Sequence, residues 1–357
     1  MEEEPTKKLE DESRRHFLRD SSMLLASAFP TTAAARASDR PLRLGLIGCG
    51  QRGRLLVSQA LGHSQSAQLV AMADAYGDSL QRCLRSLKGA YRSQVSVGDQ
   101  HRYVGPTIEN DFLAMDVDAI LIASPTGVKP GYVESALHSG KHVFLEQPLA
   151  AVQQDLAALQ IDGRLAWKRR LSFVVAEDAL LQGQNPDPSC RQLTATTIVP
   201  REHTAPQRAS SKTAHSNHTE RNGCRNWRTN TALAGSWSLE KHLQHLLAAN
   251  RIFESMPLAG RVDSVSQSPG QSRAEFFYSS GRVLESSVVT EDGQRSRSRI
   301  LAGTGNQVQD LTAGRRLPKN QPTPSLVNFL NSIQHGVAIS NYRPAMQTLK
   351  VALETLV

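Results

Sequence analysis

The stretch RLGLIGCGQRG, from Arg43 to Gly53, decides how the rest of the chain is read. A short apolar run ends in three glycines spaced G-x-G-x-x-G: Gly48, Gly50 and Gly53. Leu44, Leu46 and Ile47 predict a buried parallel strand. Gln51–Leu61 predicts the helix that follows, carrying Leu55, Leu56, Val57, Ala60 and Leu61. The pyrophosphate of a dinucleotide needs such a junction. The first glycine allows a tight turn, the second lets the backbone approach the phosphates, and the third packs helix on strand. The phosphates then sit on the free N–H groups of the helix N-terminus, beside Gln51 and Arg52. A second apolar strand, Leu69–Ala73, ends in Asp74, placed to accept hydrogen bonds from a ribose hydroxyl. The expected cofactor is NAD or NADP. Asp74 favours NAD because its charge would repel a 2′-phosphate, and Arg82 nearby could relax that preference. The alternative is an ordinary glycine-rich turn in another α/β domain.

The chain has 357 residues, enough for two domains with separate cores. No apolar run approaches the length that spans a bilayer. The formal charge of +8 invites a nucleic-acid partner. The basic residues are spread along the chain without interleaved aromatics, so they read as solvated surface and no nucleic acid is expected. Cys49, Cys83, Cys190 and Cys224 show no C-x-x-C spacing, so neither a metal site nor a disulfide framework is expected.

The first 37 residues read as a twin-arginine export signal. Ser13–Arg19 contains an arginine pair followed by Phe17 and Leu18, then comes a short apolar stretch, Met23–Phe29, and Ala35-Arg36-Ala37 ends it as an A-x-A cleavage signature. An acidic-basic tail is the alternative. Export of a protein folded in the cytoplasm would carry a bound dinucleotide to the periplasm. From Ser38, strands alternate with helices. Ser79–Leu87 predicts a helix, a polar region runs to about Pro106, and Ile108–Met115 predicts another helix before the apolar strand Val117–Ala123. Ser124 and Pro125 end that strand at the carboxyl edge, where α/β ligands bind. Helix Gly131–His138 and strand His142–Leu145 close at Glu146-Gln147-Pro148. This alternation predicts βαβ units and a right-handed parallel sheet over residues 38–150.

Three features together resemble the Gfo/Idh/MocA oxidoreductases, the glucose–fructose oxidoreductase and inositol dehydrogenase group. They are IGCGQRG at 47–53, the run from ASPTGV to ALHSGKHVFLEQPL at 123–149, and the arginine-pair leader. The resemblance implies a Rossmann domain followed, over residues 151–357, by an α+β domain whose open, mostly antiparallel sheet faces the nicotinamide. It implies hydride transfer on a sugar, polyol or related alcohol. Ser124 and Pro125 would line the nicotinamide side, with Glu146 and Gln147 facing the substrate. Family members typically carry Glu-Lys-Pro where this chain has Glu146-Gln147-Pro148. An amide has no titratable proton near neutral pH and no charge to stabilise an alkoxide, although Gln147 can still hydrogen-bond a substrate oxygen. Where relatives often have a glycine and a Gln-Arg pair, after the strand predicted at Leu171–Ala176, stands Glu177-Asp178, which reads as a solvated strand end.

The second half carries the remaining candidates. Ala150–Leu159 predicts a connecting helix and Arg191–Val199 the first strand of the second domain. Pro200–Asn226 is polar and basic and reads as a long surface loop or a mobile arm. Its His215-x-x-His218 has no third ligand in view, so no metal is expected. After Arg225-Asn226-Trp227, the stretch Trp237–Phe253 places Leu239, Leu243, Leu246 and Asn250 at helical spacing. Glu240 and Gln244 share an adjacent face. In the resembled family an acid or amide and a histidine stand four apart on this helix, pointing at the substrate. Alignment on the leucines puts Gln244 in the histidine's place, with His245 one position later and His242 two earlier. One step along a helix turns a side chain by about 100°, so His245 substitutes only if the helix turns or slips, and both histidines are otherwise expected at the surface. Val262–Ser266, Ala274–Tyr278, Val283–Thr290 and Arg297–Leu301 predict strands, with turns at Ser279-Ser280-Gly281 and Glu291-Asp292-Gly293. That sheet offers a face for a homo-oligomer. Leu326–Ile333 and Met346–Leu356 predict closing helices.

The leading function is an NAD(P)-dependent oxidoreductase acting on a small sugar-like substrate, with Gln147, Glu240, Gln244 and His245 as the candidate catalytic residues. Two alternatives stand beside it. One is a redox-neutral NAD-dependent glycosidase. The other is a dinucleotide- or sugar-binding homologue that has lost proton transfer through Gln147 and Gln244.

Overall fold

A computed structural model describes residues 40–105, 112, 114–150, 153–176, 190–200, 239–262, 271–291, 297–304, 307–311 and 321–356. The leader, Glu177-Asp178, the basic loop with His215 and His218, Arg225–Trp227 and the Asp292-Gly293 turn lie outside those residues, as does most of the helix expected at Ile108–Met115.

The first half is a parallel sheet covered on both faces. Its elements are β1 (Leu42–Ile47), α1 (Gln51–His63), β2 (Ala67–Asp74), α2 (Gly77–Ala90), β3 (Arg102–Val104), β4 (Ala119–Ile122), α3 (Lys129–His138), β5 (His142–Leu145), α4 (Gln154–Lys168) and β6 (Phe173–Val175). The strands lie in the order β3-β2-β1-β4-β5-β6, all parallel. The order reverses between β1 and β4, so their carboxyl ends open a crevice between loops that leave in opposite directions. Gly48, Ser124 and Glu146 all stand at that edge. One expectation needed adjustment: the short strand β3 lies in what read as polar connection, because three residues give too little alternation to register. The sixth strand, Phe173–Val175, falls inside the strand expected at Leu171–Ala176.

The second half is β7 (Gln192–Pro200), α5 (Leu239–Phe253), β8 (Ala259–Val262), β9 (Gln271–Phe277), β10 (Val283–Glu291), β11 (Arg297–Thr304) and β12 (Gln307–Asp310). Its strands form one sheet, β12-β11-β7-β10-β9-β8. Only β7 and β10 pair in parallel; the other neighbours are antiparallel. Strand β10 alternates between buried and half-buried residues, so one sheet face packs on α5 and the other does not.

Helices α6 (Pro324–Gln334) and α7 (Tyr342–Leu356) then return to the first domain. Leu326, Phe329 and Leu330 of α6 enter the core beneath β1, β2 and α1. Tyr342 stacks on Phe173 with ring centroids 5.7 Å apart. The Asn341 amide accepts the Val175 N–H at 2.7 Å and donates to the Val175 carbonyl at 2.9 Å, extending the β6 edge by a side chain. These contacts fix the two sheets about a shared seam. Among the described residues, no helix is long and apolar enough to cross a membrane.

Candidate functional site

The glycine loop is built by exclusion at two positions and by openness at a third. Gly48 has φ +92°, and a Cβ there would lie 2.6 Å from the backbone of Ala123. At Gly53 a Cβ would lie 1.9 Å from the Gly48 carbonyl oxygen, so only glycine lets α1 sit this close to the loop. Gly50, the residue before α1, has ordinary backbone, and a methyl group on its Cα would meet nothing within 4 Å. Free space over a helix N-terminus suits a phosphate.

Asp74 has a double task. Its Oδ2 accepts the Cys49 N–H at 2.6 Å and its Oδ1 accepts the Tyr76 N–H at 2.8 Å. The carboxylate therefore ties the end of β2 to the glycine loop. Burial raises its pKa, against the Cys49 amide, which lowers it. A carboxylate has about four lone-pair sites, so two amide bonds leave acceptor capacity for a ribose.

Across the crevice, charges alternate. Arg52, in the first turn of α1, donates from Nε to Glu146 Oε2 at 2.8 Å. Glu146 is buried. Its carbonyl oxygen accepts from Lys129 Nζ at 2.7 Å, and the Pro148 carbonyl accepts from the same Nζ at 2.9 Å. Lys129 is 2% exposed. Burial pushes its ammonium down to about 8, while Glu146 and Glu240 hold it up and Arg52 lowers it further. Glu240 belongs to α5, so the charge of Lys129 is felt across both domains. On α5, Lys241 Nζ donates to Glu240 Oε1 at 3.1 Å and to Gln244 Oε1 at 3.4 Å. Ser124 Oγ and Gln147 Oε1 are buried without a hydrogen-bond partner. An orphaned buried polar atom costs about 1–3 kcal/mol, and a bound molecule that pairs with both would remove that cost.

The structure thus gathers most of the predicted residues. The Gly48–Gly53 loop, Asp74, Ser124, Pro125, Glu146 and Gln147 share the carboxyl edge of the first sheet, while Glu240 and Gln244 share the less buried face of α5. The histidines are a correction. His242 and His245 were expected at the surface, yet both are 0% exposed. They face the second sheet, off the face of α5 that carries Gln244. Ser286 Oγ sits between them, 2.6 Å from His242 Nδ1 and 2.7 Å from His245 Nδ1. His242 Nε2 reaches Ser272 Oγ at 2.9 Å, and His245 Nε2 reaches Thr197 Oγ1 at 2.7 Å, which in turn meets Ser298 Oγ at 2.9 Å. His245 is therefore a partner of the sheet. The about 100° per residue of an α-helix carries it off the Glu240–Gln244 face.

Sequence reasoning missed Lys129 and Lys241. Lys129 did leave a signal: it opens α3, where the helix dipole disfavours a cation. A lysine placed there needs acceptors from elsewhere, which the turn after β5 supplies. Among the described residues, no group of three or more His, Cys, Asp or Glu side chains could hold a metal.

Loop, strand order and second sheet define a two-domain protein with an N-terminal Rossmann fold and a mixed, mostly antiparallel second domain. Residues 42–173 match the family model for Gfo/Idh/MocA proteins, described as an oxidoreductase family with an NAD-binding Rossmann fold. The chain is similar to inositol 2-dehydrogenase of Rhizobium meliloti (strain 1021), with 31% identity over 108 residues, 30% of this chain and 28% of that protein. It is also similar to a glycosyl hydrolase family 109 protein of Shewanella sp. (strain W3-18-1), with 26% identity over 166 residues, 40% of this chain and 35% of the relative. The matched stretch thus spans about a third of these relatives' length. Among solved structures, scyllo-inositol dehydrogenase from Lactobacillus casei, with bound NAD(H) and scyllo-inositol, superposes with a TM-score of 0.62 at 16% identity, covering 88% of this chain and 96% of that one.

Proposed function

We propose that this protein is an oxidoreductase of the Gfo/Idh/MocA type that binds NAD or NADP on the Gly48–Gly53 loop and acts on a sugar, polyol or related alcohol. The observation that carries the proposal is the loop itself. Gly53 has no room for a methyl group, while Gly50 beside it has open space over the α1 N-terminus. The similarity to inositol dehydrogenases, one of them with NAD(H) and scyllo-inositol bound, supports the cofactor and the substrate class.

The bound nicotinamide would supply hydride transfer. The chain's own residues do the rest. Asp74 accepts hydrogen bonds from the adenosine ribose, and its charge favours NAD. Arg52 stands over the pyrophosphate end and holds Glu146 in place. Ser124 Oγ and Gln147 Oε1, both buried without a hydrogen-bond partner, are the polar atoms that would orient bound groups beside them. Glu240, on the facing helix, is the carboxylate able to take a hydroxyl proton, with Gln244 binding a second substrate oxygen.

The reading is tested by releasing small molecules from purified, denatured protein for mass spectrometry, and by calorimetry with added dinucleotide. Absence of both would overturn it. Turnover on a panel of polyols, followed by nicotinamide absorbance, tests the substrate class. Asp74→Asn is expected to weaken NAD binding about tenfold, the scale of a lost charge-assisted hydrogen bond. It should also narrow the difference between NAD and NADP. Calorimetry that finds the NAD affinity of Asp74→Asn unchanged would remove Asp74 from the ribose site.

The same proposal includes export by the twin-arginine route, checked by N-terminal sequencing for a start at Ser38 in periplasmic protein. It also includes pairing of two copies through the open face of the second sheet, checked by solution mass.

A further inference from the structure

Lys129 is the buried charge for which the proposed chemistry has so far found no use. It begins α3, and its whole side chain is withdrawn from solvent. Its Nζ spends two of three N–H groups on main-chain carbonyls, those of Glu146 and Pro148, one on each side of Gln147. The side chains of Glu146, Gln147 and Pro148 bring no positive charge of their own. The charged groups facing Lys129 are Glu146 at the end of β5, Glu240 on α5 and Arg52 on α1, with Lys241 bonded to Glu240. Arg52, Glu146, Lys129, Glu240 and Lys241 therefore alternate in sign from the glycine loop to the second domain.

We propose that Lys129 is a positioning cation for the substrate end of this site, clamping the main chain on both sides of Gln147 and lending the turn the positive charge its side chains lack. The inference rests on the dinucleotide reading above. A buried cation acts through space, so direct contact with substrate is not needed. At an effective dielectric of about 20, a unit charge several ångströms away changes the stability of another charge by more than a tenfold equilibrium factor. An alkoxide beside Gln147 is favoured by it. An oxidised nicotinamide, which carries a positive ring, is disfavoured relative to the neutral reduced ring.

That difference gives a test without turnover. The affinities of the full-length protein for NAD+ and NADH are measured by calorimetry from about pH 6.5 to about pH 9.5, bracketing the loss of the Lys129 proton near 8. Below that point Lys129 is charged, and NAD+ should bind about tenfold more weakly relative to NADH than it does above it. Lys129→Met should show the high-pH ratio throughout. Lys129→Arg should show the low-pH ratio throughout, because a guanidinium keeps its charge over this range. The methionine variant leaves two carbonyls without their donor and is expected to be less stable. The wild-type titration and the arginine variant therefore carry the test independently.

A purely structural clamp would change the melting temperature and leave the ratio alone. If both dinucleotides bind and their ratio is flat with pH in the wild type, the role of Lys129 is overturned and the dinucleotide site stands. If neither dinucleotide binds, the functional reading falls and this inference with it.

Discussion

Gly53→Ala is expected to lose dinucleotide binding altogether and to destabilise the fold by about 3 kcal/mol or more. The added methyl carbon would lie 1.9 Å from the Gly48 carbonyl oxygen. Both partners in that clash are fixed to backbone, one in α1 and one in the loop, so no side-chain rotation relieves it. Moving α1 outward would pull Leu56, Val57, Ala60 and Leu61 from the core they share with Leu44 and Leu46. Gly50→Ala is the companion. Its methyl group meets nothing within 4 Å, and the backbone there suits any residue. Its melting temperature without ligand should match the wild type. The methyl group would nevertheless fill the space over the helix N-terminus, so dinucleotide affinity should fall about a hundredfold. Thermal unfolding with and without dinucleotide separates the two effects: at one ligand concentration Gly50→Ala should gain markedly less stability than the wild type. An undiminished ligand-induced shift in Gly50→Ala would show that phosphate does not approach there.

Acid is expected to weaken the protein steeply between about pH 6.5 and pH 4, through buried histidines. Burial pushes His142 and His242 down to about 4 and His245 down to about 3. For each, the folded form binds the proton less readily than the unfolded chain does. The unfolded state therefore holds more protons in this window, and stability falls as pH falls. Each pH unit inside the window removes about 1.4 kcal/mol per histidine. Beside burial, the two rings on α5 are held by hydroxyls. If the Ser286 hydroxyl donates to one imidazole, it accepts from the other, so the Ser272–His242–Ser286–His245–Thr197–Ser298 chain is satisfied by two neutral rings of complementary tautomer. Protonating either ring gives it two donors and sets it against the direction of the chain. Urea unfolding across this pH range measures the slope. A His245 variant that keeps the wild-type slope would show that the ring is not held neutral.

Much of the first domain was legible. Strand His142–Leu145 is found where its apolar run predicts it, and β1, α1, β2 and β4 follow local patterns of apolar runs and helical repeats. Such segments are short enough for neighbours in sequence to decide them. The second sheet was legible as strands: of the one expected at Val262–Ser266 only Val262 lies among the described residues, at the end of β8, and β12 was not foreseen. Half-buried strands with polar residues on one face carry weak alternation at their ends.

The histidines are the instructive case. His242 stands three residues after Leu239 and four before Leu246, so the leucine stripe already held it on the buried face. Its polarity argued for the surface. The outcome was decided by Ser272, Ser286 and Thr197, which lie 30 to 48 residues from the histidines they bond.

By itself the sequence determined the parallel sheet, the glycine loop, and the presence of Gln147 in the turn after β5. These are local: each rests on spacing along a few residues or on one residue type. Only the tertiary structure decided that Lys129 bonds the carbonyls on either side of Gln147, that Glu240 of the second domain lies near enough to act on its charge, and that the two histidines serve the sheet. The physical reason is that a buried polar group is defined by its partner. Here the partners come from distant strands and helices, and only folding brings them within hydrogen-bonding reach.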